Sequence, residues 1–250
     1  MTQGVWSSAE PYEPFMGRWS RVLASEVVTW IDPPPGLRWL DVGCGTGAAS
    51  EAVLTDAAPM SVMGIDPSAA YVVAAEARLD DRRAAFRVGE AAALPVPDSS
   101  VDQVICGLVL NFVPDPLTAV RDRRRVLVPG GLATAYVWDY SDGMQMLRWF
   151  WDAAVHEDPA AASLDEGARF PVCQPDGLRR CFADAGLGDL QTRSVEVATV
   201  FRDFDDYWTP FLGGQGPAPG TAQLCRTIPG IVSVPGCRQL CSRSRTGRSG

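Results

Sequence analysis

The chain has 250 residues, 46% hydrophobic and 21% charged, an ordinary globular balance with room for one α/β domain and a small appendage. A formal net charge of −8 argues against a nucleic-acid or anionic-membrane partner, and the use of arginine for all 22 basic residues, with no lysine, reads as codon bias rather than function. No apolar run reaches the ~18 residues of a spanning helix, and MTQGVWSSAEPYEP lacks the basic-then-apolar pattern of a secretory signal, so a cytoplasmic location is expected. The seven cysteines contain no CxxC pair and a single histidine cannot complete an ordinary zinc site, so reduced thiols and no metal are expected.

From Arg18 to Ile31, Trp19, Val22, Leu23, Val27 and Trp30 recur at helical spacing, and Pro33, Pro34, Pro35 and Gly36 end that helix. Leu37, Trp39, Leu40 and Val42 then form the short apolar run of a strand buried in a parallel sheet. Gly43, Gly45 and Gly47 follow at alternate positions, and a helix opens at Ala48. Strand, bare turn and helix N-terminus together make a docking place for a nucleoside-bearing cofactor. Gly43, Gly45 and Ala48 also satisfy G-x-G-x-x-G/A, the dinucleotide pattern. Asp41 argues the other way: a carboxylate two residues before the first glycine repels a pyrophosphate. It suits a ligand carrying an ammonium and a sulfonium and no phosphate, which describes S-adenosylmethionine.

The stretch LDVGCGTG resembles the first motif of the class I S-adenosylmethionine-dependent methyltransferases, in their small-molecule, ubiquinone/menaquinone-biosynthesis-like branch. The resemblance implies that Asp41, Gly43, Cys44, Gly45 and Gly47 line the cofactor. It also implies that YEPFMGRWS is a lid whose Arg18 meets the methionine carboxylate; alternatively, the aromatics dock the first helix and Arg18 is solvated. Ser61 to Ile65 reads as the second strand, ending on Asp66, which is placed to accept hydrogen bonds from both ribose hydroxyls. An Asp before Pro also caps a turn, and the two roles coexist. After a helix over Ser68 to Arg78 and a strand over Ala85 to Val88, Glu90 stands where the family's usual Asp reaches the adenine amino group, with the Ala91 N–H available to adenine N1. An exposed loop carboxylate is the plain alternative for Glu90. Val101 to Cys106 is the fourth strand, and Leu108 beyond it is a backbone contact on the methionine side by resemblance. A helix over Leu117 to Val126 carries Arg121, Arg123, Arg124 and Arg125, read as a solvated face. The turn Val128-Pro-Gly-Gly131 leads into a fifth strand, Leu132 to Trp138, and the likeness extends over residues 37 to 138.

Further on, Asp139, Tyr140 and Asp142 lie where acceptor-binding groups are expected. Met144 to His156 is a helix, with His156 either a general base or a charge at the helix C-terminus. Gly177 to Ala185 is another helix, Leu190 to Phe201 reads as a sixth strand, and the aromatic run from Phe204 to Pro217 is expected to border the acceptor. Residues 207 to 250 hold no Asp or Glu, five arginines and three cysteines, an abrupt shift read as an aberrant terminus; Ile231 to Val234 is its one candidate for a seventh strand.

The expected organisation is a lid helix in 1–36, a methyltransferase domain in 37–206 and a poorly ordered tail. The expected fold is a doubly wound α/β sheet, Rossmann-like and mostly parallel, of strand order 3-2-1-4-5-7-6 by resemblance, its final antiparallel strand doubtful. The expected reaction is methyl transfer from S-adenosylmethionine to a small-molecule acceptor. No catalytic residue is assigned, because displacement at an already activated methyl asks chiefly for alignment and exclusion of water. A NAD(P)-binding oxidoreductase and a non-catalytic S-adenosylmethionine-binding protein are the alternatives.

Overall fold

The computed structural model describes residues 16–213, so Tyr12, Phe15 and the candidate strand Ile231 to Val234 lie outside the described residues. Helix α1 (Arg18–Ile31) precedes β1 (Arg38–Val42), α2 (Ala48–Asp56), β2 (Ser61–Asp66), α3 (Ala69–Arg78) and β3 (Ala84–Val88). Then come β4 (Val101–Gly107), α4 (Pro116–Val126), β5 (Leu127–Tyr136), α5 (Gln145–Glu157), α6 (Glu166–Arg169), α7 (Pro175–Asp184) and α8 (Phe204–Trp208). The five strands form one parallel sheet in the order β3-β2-β1-β4-β5. β1 sits in the middle because its residues are apolar towards both faces: Trp39 joins the core under α1 and α2, while Leu40 and Val42 join the core on the other side. The chain leaves β1 in one direction for β2 and β3 and returns on the other side at β4, which opens a crevice at the carboxyl ends of β1 and β4.

Helix α1 shares its core with β1 and α2 through Leu23, Ala24, Val27 and Val28. A second cluster, built by Trp19, Tyr140, Met146, Leu147, Phe150, Trp151, Tyr207 and Phe211, joins α1, α5 and α8. Phe150 stacks on Phe211 at 5.0 Å, and the Tyr207 hydroxyl donates to the Met146 carbonyl at 2.9 Å. Tyr207 and Phe211 are therefore core residues of this cluster rather than free walls of a pocket.

Three expectations are corrected. The segment Leu190 to Phe201 is not a strand. Val195, Val197 and Thr199 are half-buried and alternate with exposed Glu196, Ala198 and Val200, so the period of two is present. What is missing among the described residues is a neighbouring backbone to complete a ladder, and a pattern of side chains without that pairing does not make a strand. The Pro129-Gly130-Gly131 turn lies inside β5, not before it: pairing passes from Val101↔Leu127 to Gln103↔Leu132, with Gly130 at φ +81°, so the turn is a bulge that re-registers the strand. Finally, the arginines of α4 are not all solvated. Ala119, Val120, Arg123 and Val126 are the inward positions of that helix, and a period of 3.6 cannot turn four near-consecutive arginines outward together. Arg123 is fully buried, donating to Cys106 Sγ at 3.0 Å, with its Nε and other terminal nitrogen unpartnered. Arg125 is bound by Asp122, Asp98 and the carbonyls of Leu94 and Val96.

Candidate cofactor site

The backbone between β1 and α2 is pinned to β2, with the N–H groups of Gly43 and Cys44 donating to the Ile65 carbonyl at 2.7 and 3.1 Å. Gly43 has φ +77°, and a Cβ there would fall 2.5 Å from a methyl of Val109, so the loop after β4 closes directly over it. Gly45, at φ +52°, faces open space, and its N–H donates to Asp66 Oδ2 at 3.0 Å. Gly47 is the left-handed residue from which α2 starts. Cys44 is 5% exposed and burial pushes its thiol up, away from the thiolate form.

Two carboxylates meet at this turn. Asp41 is 1% exposed; its Oδ2 accepts from the Ser50 hydroxyl at 2.7 Å, and its Oδ1 has no partner. Burial raises its pKa to about 7, the Ser50 hydrogen bond opposes the rise, and the charge of Asp66 adds to it. Asp66 ends β2 at 7% exposure, its Oδ1 accepting from Ser68 N–H at 2.9 Å. Burial raises its pKa as well, against the hydrogen bonds from Ser68 and Gly45, and Glu90 adds a like charge. One lone pair on each Asp66 oxygen is left for a further donor. Neither aspartate has an ion pair among the described residues.

Glu90 is exposed, follows β3, and lies near enough to Asp66 to be felt electrostatically; Ala91 beside it is half-buried. Leu108 takes the left-handed conformation, φ +61°, while its N–H donates to the Tyr136 carbonyl at 2.8 Å, which bends the chain away at the end of β4. Arg18 pairs with Asp206 Oδ1 at 3.1 Å and stacks on Trp19 and Phe201, its guanidinium carbon 4.2 and 5.0 Å from the ring centroids. Its Nε and second terminal nitrogen are buried without a partner. His156 is exposed in the last turn of α5.

Ser50 is the site residue that the sequence reasoning did not single out. Its signal was a hydroxyl on the apolar face of α2, between Ala49 and Ala52, nine positions beyond Asp41. The residues present fit S-adenosylmethionine. A buried carboxylate oxygen without a donor, a glycine facing open space and an aspartate with spare acceptors at a strand tip offer places for a cation and a diol and none for a phosphate.

The family model described as a methyltransferase domain matches residues 40–135. The chain is 31% identical to 2-methyl-6-phytyl-1,4-hydroquinone methyltransferase of Synechocystis over 73% of its own length, and spans 57% of that relative. To the demethylmenaquinone methyltransferase of Renibacterium salmoninarum it is 36% identical, over 73% of this chain and 78% of the relative. Among solved structures, the YcgJ protein of Bacillus subtilis aligns with a TM-score of 0.56 at 19% identity, covering 83% of this chain and 82% of that one. The [4+2]-cyclase SpnF aligns at 0.53 and 21%, covering 82% and 72%, so the same fold hosts a reaction of another kind. Identity of 36% carried across 78% of a relative is more than shared topology, and with the motif around Asp41 it places this chain in the class I S-adenosylmethionine-dependent methyltransferase family.

Proposed function

We propose that the protein transfers a methyl group from S-adenosylmethionine to a small-molecule acceptor. The observation that carries this reading is the pair of buried carboxyl groups without a cationic partner among the described residues, Asp41 and Asp66, at one glycine turn. A dinucleotide would bring phosphates against them, whereas a sulfonium nucleoside brings a cation and a diol. When bound, S-adenosylmethionine supplies a methyl made electrophilic by its positive sulfur.

The chain's own residues would hold and align the partners. Asp66 accepts from the ribose hydroxyls, its orientation set by Gly45 and Ser68. Glu90 and the Ala91 N–H serve the adenine edge. Gly45, facing open space, lets the ligand approach the backbone of the turn that Gly43, Cys44 and Gly47 shape, Asp41 faces its cationic end, and Leu108 contributes backbone groups. Arg18, with two buried nitrogens unpartnered, suits the carboxylate of the methionine moiety. Displacement at the activated methyl asks chiefly for alignment and exclusion of water, so no dedicated base is required for an acceptor that is already nucleophilic. The matched relatives are named for hydroquinone and demethylmenaquinone substrates, which supports an aromatic, quinone-type acceptor. The protein acts in the cytoplasm in this reading; no described helix is long and apolar enough to cross a membrane.

Calorimetry with S-adenosylhomocysteine tests the reading. Micromolar binding is expected, weakened at least tenfold by Asp66→Ala, or about 1.4 kcal/mol. Binding of NADH with indifference to S-adenosylhomocysteine would overturn it.

A further inference from the structure

The fully buried carboxylate of Asp41 has one oxygen on the Ser50 hydroxyl and the other on nothing. The titratable groups that face it are Asp66 at the end of β2, Cys44 in the glycine turn and Cys106 on β4, while α2 turns the hydroxyl and backbone N–H of Ser50 towards it. None of these is a cation. An ionised carboxylate so deeply buried, with no cation beside it among the described residues, is costly. A proton on Oδ1 removes that buried charge without a ligand.

We propose that Asp41 is a proton-linked gate for the cofactor: it holds a proton in the ligand-free site and gives it up to solvent when the cationic part of S-adenosylmethionine takes that proton's place. The O–H bond of the acid breaks, the electron pair stays on the carboxylate, and one positive charge leaves as another arrives. The inference rests on the S-adenosylmethionine reading and adds to it a condition on how tightly the ligand is held. At low pH the ligand competes with a proton for the same oxygen, so affinity falls; at neutral pH and above the competition ends. The direction of the shift in Asp41, upward to about 7 because of burial, agrees with a protonated resting state.

Isothermal calorimetry of the full chain with S-adenosylmethionine, without acceptor, provides the test. Between about pH 5.5 and 7 the ligand's own α-ammonium stays protonated, so a pH dependence reports the protein. Affinity is expected to rise close to tenfold per pH unit at the acid end and to level off near neutrality. Binding enthalpies in phosphate and in imidazole buffer at one pH should differ by the amount that release of close to one proton requires. Asp41→Asn, which keeps a neutral acceptor for the Ser50 hydroxyl, should bind weakly with no pH slope and no buffer dependence. Equal enthalpies in the two buffers for the wild type, or proton release that persists in Asp41→Asn, would overturn the gate while leaving the cofactor assignment standing. Absence of S-adenosylmethionine binding at every pH would overturn both.

Discussion

Replacing Arg123 by methionine should make this protein more stable. Arg123 lies at 0% exposure on the inward face of α4, and its one hydrogen bond among the described residues is to the Cys106 thiol sulfur, a weak acceptor. A guanidinium does not shed its proton inside a protein, so the charge stays, with two nitrogens unsatisfied. The effective cost of burying an ion is several kcal/mol, and one hydrogen bond from a charged donor returns about 1.5–3 kcal/mol. A methionine of similar reach removes the cost, gives up that bond and leaves little void, so the net gain is about 2 kcal/mol. For a chain of this size that raises the melting temperature by roughly 4–8 °C. Urea unfolding followed by tryptophan fluorescence measures it: the midpoint should rise at unchanged slope, while Arg124→Met, on the exposed side of the same helix, should stay within about 0.5 kcal/mol of wild type. An Arg123→Met variant less stable than wild type by about 1 kcal/mol or more would refute the reasoning, because it would mean the charge is neutralised in the folded protein.

Other outcomes follow from the same geometry. In the ligand-free protein Asp41 holds its proton more tightly folded than unfolded, so its contribution is full below about pH 4 and is lost as pH rises towards 7; Asp41→Asn should flatten that limb, by at most roughly 4 kcal/mol, in melting curves recorded against pH. Asp102 behaves oppositely. The two hydrogen bonds from the Arg38 guanidinium, at 2.8 and 2.9 Å, hold it near 2, so its contribution is present above the ordinary carboxylate range and disappears as pH falls to 2; Asp102→Asn should move acid unfolding to higher pH. Gly43→Ala forces a left-handed alanine against Val109 at 2.5 Å and should abolish S-adenosylhomocysteine binding in calorimetry, whereas Gly130→Ala, equally left-handed but with open space around it, should cost stability alone.

Much of the site was legible in linear order because it is built from consecutive residues. A strand, a bare turn and a helix start follow one another from Leu37 to Ala48, and Asp66 closes the next strand, so spacing alone placed both acids at one end of the sheet. α1 runs over the same residues, Arg18–Ile31, that its apolar spacing marked out. Legibility ended where a residue's role depends on what lies across from it. The α4 arginines read as a charged face because charge dominates a linear scan, yet the phase set by Ala119, Val120 and Val126 committed Arg123 to the interior. The pattern of Leu190 to Phe201 was right about which side chains turn inward and wrong about strand pairing, since alternation is a property of one segment and a ladder a property of two.

What the sequence determined by itself is the class of fold, the glycine bend after β1 and the acidic residues beside it, because each follows from local steric freedom and from residue chemistry. Only the tertiary structure decided that Ser50 meets Asp41, that Arg18 is held by Asp206 and two aromatic rings, and that Arg123 is shut away from water. Those facts concern pairs distant in sequence or depths below a surface, and the dielectric that a charge experiences is set by everything packed around it rather than by its neighbours along the chain.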